Sequence, residues 1–194
     1  GSHSTYTKSG IGGLEGRSLH ADDLLATNDS DGAPADRRLP AGFQSPPYGD
    51  SHEVRVVLGP QREAFSAEAV AMFLAGVYRV SNDADRMGYR LEGPPIPHVD
   101  GADVVSDGNP LGAVQVPGDG QPRVLMADRG TTGGYAKIAT VMGADIGVLA
   151  QAIPGDTVGF SAITVEEAHQ ILREQEQVLA AIASGGPLVG AAPM

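Results

Sequence analysis

The sequence predicts a mainly β, α+β protein: a closed or nearly closed β-barrel with helices at its periphery. Three observations lead there. Glycine and proline number 27 and 14 among 194 residues while aromatics make up 5%, so turns are frequent and side chains small. Short apolar runs with strand character recur along most of the chain, bounded by turn residues. Only two segments sustain a long helical period, which suits helices bordering a β core rather than building it.

The elements follow in order. Glu53 to Leu58 (EVRVVL) reads as a strand halted by Gly59-Pro60. Ser66 then caps a helix that carries Val70, Phe73, Leu74 and Val77 on one face. Tyr78 to Ser81 is extended, Asn82-Asp83 turns, and Met87 to Leu91 alternates as a partner strand. Leu111 to Val116 and Arg123 to Ala127 are two strands joined tightly through Pro117-Gly118-Asp119-Gly120. Lys137 to Met142 and Asp156 to Ile163 supply the last strands, with a short helix over Asp145 to Ala152 between them. Thr164 and Glu167 form a capping box before a helix with Ile171, Leu172, Val178, Leu179 and Ile182 on its buried stripe, ended by Gly185-Gly186-Pro187. Domain boundaries follow: an N-terminal stretch over 1–25, an exposed linker over 26–50 rich in Asp, Asn and Pro, a barrel domain over 51–183 and a loose tail over 184–194.

Composition excludes several functions. Thirteen Lys and Arg against 24 Asp and Glu give a formal charge of −11, which repels the phosphates of nucleic acids and anionic membranes. Without cysteine there is no disulfide framework, thiolate metal site or cysteine nucleophile. No apolar run approaches the roughly 20 residues of a membrane helix, and a cytoplasmic protein is the expectation. The histidines, His3, His20, His52, His98 and His169, form no H-x-x-x-H pair and flank no serine nucleophile, so no metal is expected.

Chemistry concentrates between Gln115 and Lys137. The rigid Pro117-to-Gly120 turn holds Gln115 and Gln121 at defined positions, where their amides either read an amide or urea-like ligand or satisfy loop backbone. From Ala127 to Lys137 a polar loop carries Thr131, Thr132, Gly133, Gly134 and Tyr135 between the cations Arg129 and Lys137. It is an anion cradle or a structural loop with surface charges. It is no Walker loop, since no glycine precedes the lysine and no Ser or Thr follows it. Arg86 and Arg90, beside Asp83 and Asp85, either face a ligand anion or brace the fold.

Three motifs taken together, SNDADRMGYRLEG (Ser81 to Gly93), VSDGNPLGAVQVPGDGQP (Val105 to Pro122) and LMADRGTTGGYAKIATV (Leu125 to Val141), resemble the allophanate hydrolase subunit 2 family. The family is also described as biotin-dependent carboxyltransferase-like, as KipA and as the C subunit of 5-oxoprolinase. LGPQREAFSAEAV and LAQAIPGDTVGF flank the motifs as the family has them, and the resemblance spans about Thr5 to Ile163. Gly1-Ser2-His3 alone reads as a vector scar. Within GSHSTYTKSGIGGLEGRSL it matches the family pattern instead, so the chain is expected to be the C-terminal part of a longer protein.

The resemblance implies a cyclophilin-like β-barrel and a subunit of an ATP-dependent, amide-acting complex, with the C subunit of 5-oxoprolinase as the leading reading. Its alternatives are a KipA-like regulator that binds a KipI-like histidine-kinase inhibitor, and transfer of a carboxyl group from carboxybiotin to urea. It implies subunit 1 (KipI-like, the B subunit of 5-oxoprolinase) as partner, a lactam-utilisation protein as a third subunit and a small amide or urea-like substrate. ATP would act within the complex; biotin is not attached here, because the Met-Lys-Met motif is missing. By motif matching, Arg129, Lys137 and Asp128 are the catalytic candidates, with Arg129 and Lys137 on the anion. Gln115 and Gln121 would read the ligand amide, and Thr131, Thr132, Gly133 and Gly134 would hydrogen-bond along the loop. Tyr135 would close the pocket, with Arg86 and Arg90 in support. Gly130 stands where many relatives carry Gln.

Overall fold

The computed structural model of the chain describes residues 3–26 and 49–184. The chain divides into two compact units, Gly1–Arg38 and Leu39–Met194. Most of the expected linker over 26–50, all of the expected tail beyond Ser184, and Gly1 and Ser2 lie outside the described residues.

In the first unit β1 (Thr5–Tyr6) pairs antiparallel with β2 (Ile11–Gly12). The 3-10 turn between them closes on Gly10, whose φ of 62° suits a residue without Cβ. Arg17 donates two 2.8 Å bonds to the Asp23 carboxylate and one of 3.1 Å to Glu15, while the His20 backbone N–H donates to Asp23 at 2.7 Å. Arg17 first, then the His20 N–H, holds the Asp23 carboxyl down at about 2. A carboxyl depressed on folding stabilises above its unfolded value of ~3.9, and that contribution disappears as pH falls through the folded value. Order in this turn is therefore expected to fade between about pH 4 and pH 2. A carboxyl-carbon NMR titration checks it, the Asp23 midpoint moving up toward ~4 in Arg17→Met.

The second unit holds β3 (Ser51–Leu58), α1 (Ala67–Ala75), β4 (Tyr78–Val80), β5 (Gly88–Glu92), β6 (Asp103–Gly108), β7 (Ala113–Gln115), β8 (Arg123–Leu125), β9 (Thr132–Tyr135), β10 (Lys137–Val141), α2 (Ile146–Leu149), β11 (Thr157–Ala162) and α3 (Val165–Ser184). Seven strands close a barrel in the order β10-β3-β11-β4-β5-β8-β7. These are the seven strands read from the sequence, trimmed or extended at their ends. β3 and β11 run parallel over six residue pairs from Thr157↔Ser51 to Ala162↔Val56, and every other neighbour is antiparallel. Along β3 the side chains of His52, Val54 and Val56 are buried in alternation, as a pleat with one face on the core requires. Val80, Leu91, Val114, Val124, Ile138, Val158 and Phe160 complete that interior.

Ser66 caps α1, its hydroxyl accepting from the Ala69 N–H at 3.1 Å, and Ala69, Val70 and Phe73 face the core. Val77 does not join them: the helix ends at Ala75, and Val77 is 64% exposed in the connection to β4. Phe73, Tyr78 and Phe160 form an aromatic cluster, and a Cβ on Gly76 or Gly93 would lie within 2.7 Å of the Tyr78 ring. The Tyr78 hydroxyl is buried without a hydrogen-bond partner, and burial pushes its pKa up to about 12. Since a desolvated, unpaired hydroxyl opposes folding, Tyr78→Phe is expected to leave stability unchanged or raise it by about 1 kcal/mol in chemical denaturation.

The capping box at α3 is present: the Thr164 N–H donates to Glu167 Oε2 at 2.8 Å and the Glu167 N–H to Thr164 Oγ1 at 3.2 Å. Its stripe is shallower than expected. Ala168 alone is fully buried, Ile171, Leu172, Val178 and Ile182 are half-buried, and Leu179 is 54% exposed. The short helix expected over Asp145–Ala152 is a 3-10 turn at Gly143–Asp145 followed by α2. Asp145 is buried because it accepts from the Arg55 N–H at 2.7 Å, Nε at 2.9 Å and Nη2 at 2.6 Å, fastening this turn to β3.

One expectation is overturned. The segment from Thr131 to Tyr135 reads as a loop, yet β9 pairs antiparallel with β6 in a separate ribbon, with Asp103 opposite Tyr135, Asp107 opposite Gly133 and Gly108 opposite Thr132. β6 is exposed at every position but Val104, and β9 holds two glycines, so neither strand shows the alternation that announces a half-buried sheet.

Candidate functional site

Three barrel strands meet at one mouth. Gln115 ends β7, Lys137 begins β10, and the two lie opposite each other in the ladder. β3 leaves the barrel at Leu58, and the chain after it stays on β10: the Gly59 N–H donates to the Ile138 carbonyl at 2.9 Å and the Gln61 N–H to the Lys137 carbonyl at 3.2 Å. The Gln61 side chain completes this rung, its Oε1 accepting from the Lys137 N–H at 3.2 Å.

Lys137 is 0% exposed, and its Nζ makes no hydrogen bond. The acid facing it is Asp107, with Oδ2 at 3.6 Å, an ion pair too long for a hydrogen bond. Removing a lysine head group from water opposes folding by several kcal/mol unless partners replace the solvent, and here no hydrogen bond replaces it. Asp107, on the exposed ribbon, accepts from the Gly108 N–H at 2.7 Å and from Gln61 Nε2 at 3.1 Å. The Gly108 N–H first, then the Gln61 amide and the charge of Lys137, hold its carboxyl below the ordinary aspartate range. It is therefore an anion at neutral pH and a poor proton acceptor.

A chain of amides borders the lysine. Gln115 is buried and donates through Nε2 to Asn109 Oδ1 at 3.2 Å; Asn109, also buried, donates through Nδ2 to the Gly130 carbonyl at 3.1 Å and through its N–H to the Thr131 carbonyl at 2.9 Å. Arg129 closes the series, with Nε donating to the Asn109 carbonyl at 2.8 Å and Nη1 to the Met126 carbonyl at 3.4 Å. Gly133 lies against both amides: a Cβ there would stand 2.7 Å from Asn109 Nδ2 and 2.9 Å from Gln115 Nε2. Gly130 is different, since a Cβ would meet only the Thr132 carbonyl, at 3.5 Å.

The structure thus gathers Gln115, Arg129, Gly133 and the backbone of Thr131 around Asn109, with Lys137 opposite Gln115 in the ladder, and sends the other candidates elsewhere. Asp128 and Arg86 pair with each other at 2.8 and 3.1 Å on the surface, and Arg90 pairs with Asp83 at 3.1 Å. Gln121 closes on the backbone of Gly93, accepting from its N–H at 2.8 Å and donating to its carbonyl at 3.2 Å. Thr132 and Tyr135 are exposed on β9, and Gly134 faces the Val104 carbonyl. Sequence reasoning did not single out Gln61, Asp107 or Asn109. The signal for Gln61 was its place two residues past the break at Gly59; Asp107 and Asn109 stood within the Val105-to-Pro122 motif without a role. Among the described residues no three His, Asp or Glu side chains converge to hold a metal ion. The glycines expected to cradle an anion in a loop belong instead to a paired strand.

The fold is a closed seven-stranded barrel with a buried lysine, unsatisfied at Nζ, facing a buried amide across two of its strands. The chain belongs to the carboxyltransferase domain family, subdomains A and B, whose family model matches residues 1–162. It is similar to the C subunit of 5-oxoprolinase from Haemophilus influenzae, 36% identical over 173 residues that cover 89% of this chain and 54% of that protein. To the C subunit of 5-oxoprolinase from Escherichia coli it is 37% identical over 177 residues, 91% of this chain and 56% of that protein. The chain therefore spans about half the length of these curated relatives. The crystal structure of the K. lactis urea amidolyase superposes with a TM-score of 0.83 over 99% of this chain and 13% of that one, at 24% identity, and shares the fold. Among the described residues no helix is long and apolar enough to cross a membrane.

Proposed function

We propose that this chain is the barrel part of the C subunit in a 5-oxoprolinase-type complex, and that its Lys137 mouth receives the carbonyl or carboxylate oxygen of a small cyclic amide. One observation carries the reading: Lys137 is wholly buried with no hydrogen bond at Nζ, opposite Gln115, whose amide is in turn bonded to Asn109. Opening a cyclic amide places negative charge on the carbonyl oxygen, and donors already aimed at that oxygen stabilise the transition state without reorganising. Lys137 supplies the cation, Asn109 and Gln115 fix the polar wall beside it, and Asp107 keeps the lysine oriented. The identities with the two 5-oxoprolinase C subunits support the substrate class. ATP would be bound by other parts of the complex, and a protein like the 5-oxoprolinase B subunit would be the partner.

ATP-dependent ring opening of 5-oxoproline by the complex, measured with and without this chain, tests the reading. Turnover that needs the chain and is not restored by Lys137→Arg, whose planar fork cannot reproduce a compact ammonium in a closed space, is the expected result. Equal turnover without the chain would exclude it. A second reading, carboxyl transfer to a urea-like acceptor, is favoured by the family itself. Carboxybiotin-dependent carboxylation of urea by the assembly would select it.

A further inference from the structure

We infer that Gln61 is a positioning residue of this site, holding the Asp107 carboxylate against Lys137 and so setting the charge that the mouth presents. The inference rests on the proposed role of Lys137. Gln61 touches both members of the pair at once. Its backbone N–H and its Oε1 engage the carbonyl and N–H of Lys137, each at 3.2 Å, which fixes its side chain relative to β10. Its Nε2 then donates at 3.1 Å to Asp107 Oδ2, the same oxygen that faces Lys137 Nζ at 3.6 Å.

Asp107 needs such a holder. Its side chain is 55% exposed, and its other hydrogen bond comes from the N–H of its own neighbour, Gly108, which leaves the distance to Lys137 unconstrained. Half-exposed ion pairs contribute little when their side chains are free to swing, so the pairing depends on what fixes the geometry. The charged group facing Asp107 is Lys137; the remaining contacts are the Gly108 N–H and the Gln61 amide. Gln61 therefore acts through the carboxylate, touching no substrate itself. Because its amide donates to the carboxylate, it favours the ionised form, in keeping with the depressed carboxyl of Asp107.

Two variants separate positioning from bulk. Gln61→Met keeps the length of the side chain and loses both the donor to Asp107 and the acceptor for the Lys137 N–H. Gln61→Glu keeps an acceptor for the Lys137 N–H and sets a second carboxylate against Asp107. In a carboxyl-carbon NMR titration of the chain, the Asp107 midpoint is expected to rise in Gln61→Met and to rise further in Gln61→Glu. In the assembled complex Gln61→Met is expected to lower kcat/KM about tenfold to hundredfold, as a misplaced charge does, with the acid limb of the pH profile moving up alongside the Asp107 midpoint. In an Asp107→Asn background the same substitution should have no further effect.

An unchanged Asp107 midpoint in Gln61→Met, or an undiminished effect in the Asp107→Asn background, would overturn the inference. Lys137→Met is the separate control: retained turnover there sinks the proposed site, while the Asp107 titration still decides whether Gln61 holds the carboxylate.

Discussion

Lys137→Met is expected to produce a protein that is more stable than the wild type and catalytically impaired. Methionine fills nearly the same volume without a charge, and because Asp107, the acid it leaves behind, is 55% exposed, removing the desolvated ammonium is expected to stabilise by about 1 kcal/mol. The lysine is 0% exposed and unsatisfied at Nζ, which places it among the residues for which that gain is expected. Loss of a donor aimed at developing negative charge lowers kcat by about 10²- to 10³-fold. The two effects have opposite signs, and that opposition separates a functional lysine from a structural one. Urea denaturation of the chain and 5-oxoproline turnover by the complex measure them independently. A lysine that merely braced β10 would lose stability on substitution and show little effect on the chemistry of folded protein.

The second large effect is expected at Gly133, with Gly130 as its contrast. A methyl group at 133 would sit 2.7 Å from Asn109 Nδ2 and 2.9 Å from Gln115 Nε2, so one or both amides must move. Both are buried, and breaking the Gln115–Asn109 and Asn109–Gly130 bonds without replacement lowers stability by about 1–3 kcal/mol per group left unpaired. If that amide chain forms the wall proposed beside Lys137, Gly133→Ala should also reduce kcat/KM, by about a hundredfold for a movement of an ångström. At Gly130 a Cβ meets nothing closer than 3.5 Å, and Gly130→Gln should fold with wild-type stability within about 0.5 kcal/mol. Denaturation curves of the two variants, side by side, check both statements.

The barrel was legible because its strands obey rules that act within a few residues. Val54 and Val56 alternate along β3, Gly59-Pro60 ends it, and Pro117 to Gly120 can only turn, so the seven strands follow from pattern and punctuation. The ribbon was not legible, because β6 and β9 bury almost nothing and their pairing is decided by partners 24 to 32 residues apart. The site was legible in part for the same reason. Gln115 and Lys137 stood out as polar residues at strand ends, and their facing positions in the ladder require only that β7 pair with β10. Asp107 and Gln61 reach Lys137 through the ribbon and through the exit of β3, contacts over 30 and 76 residues that no local spacing encodes. Arg86 and Asp128 show the converse: conspicuous charges within the family motifs that the fold spends on each other. Gln121 resolves its own ambiguity, since both ends of its amide are taken by Gly93.

Lys8 and Lys137 are the two lysines of the chain, so a lysine-labelled sample carries two side-chain signals, and Lys137→Met assigns them. Titrating the labelled chain with 5-oxoproline in the assembled complex, and following the ζ-nitrogen and ε-carbon resonances, tests the role of Lys137 directly. The account predicts a saturable shift of the Lys137 signal. An unperturbed Lys137 resonance at substrate concentrations that saturate turnover would contradict it.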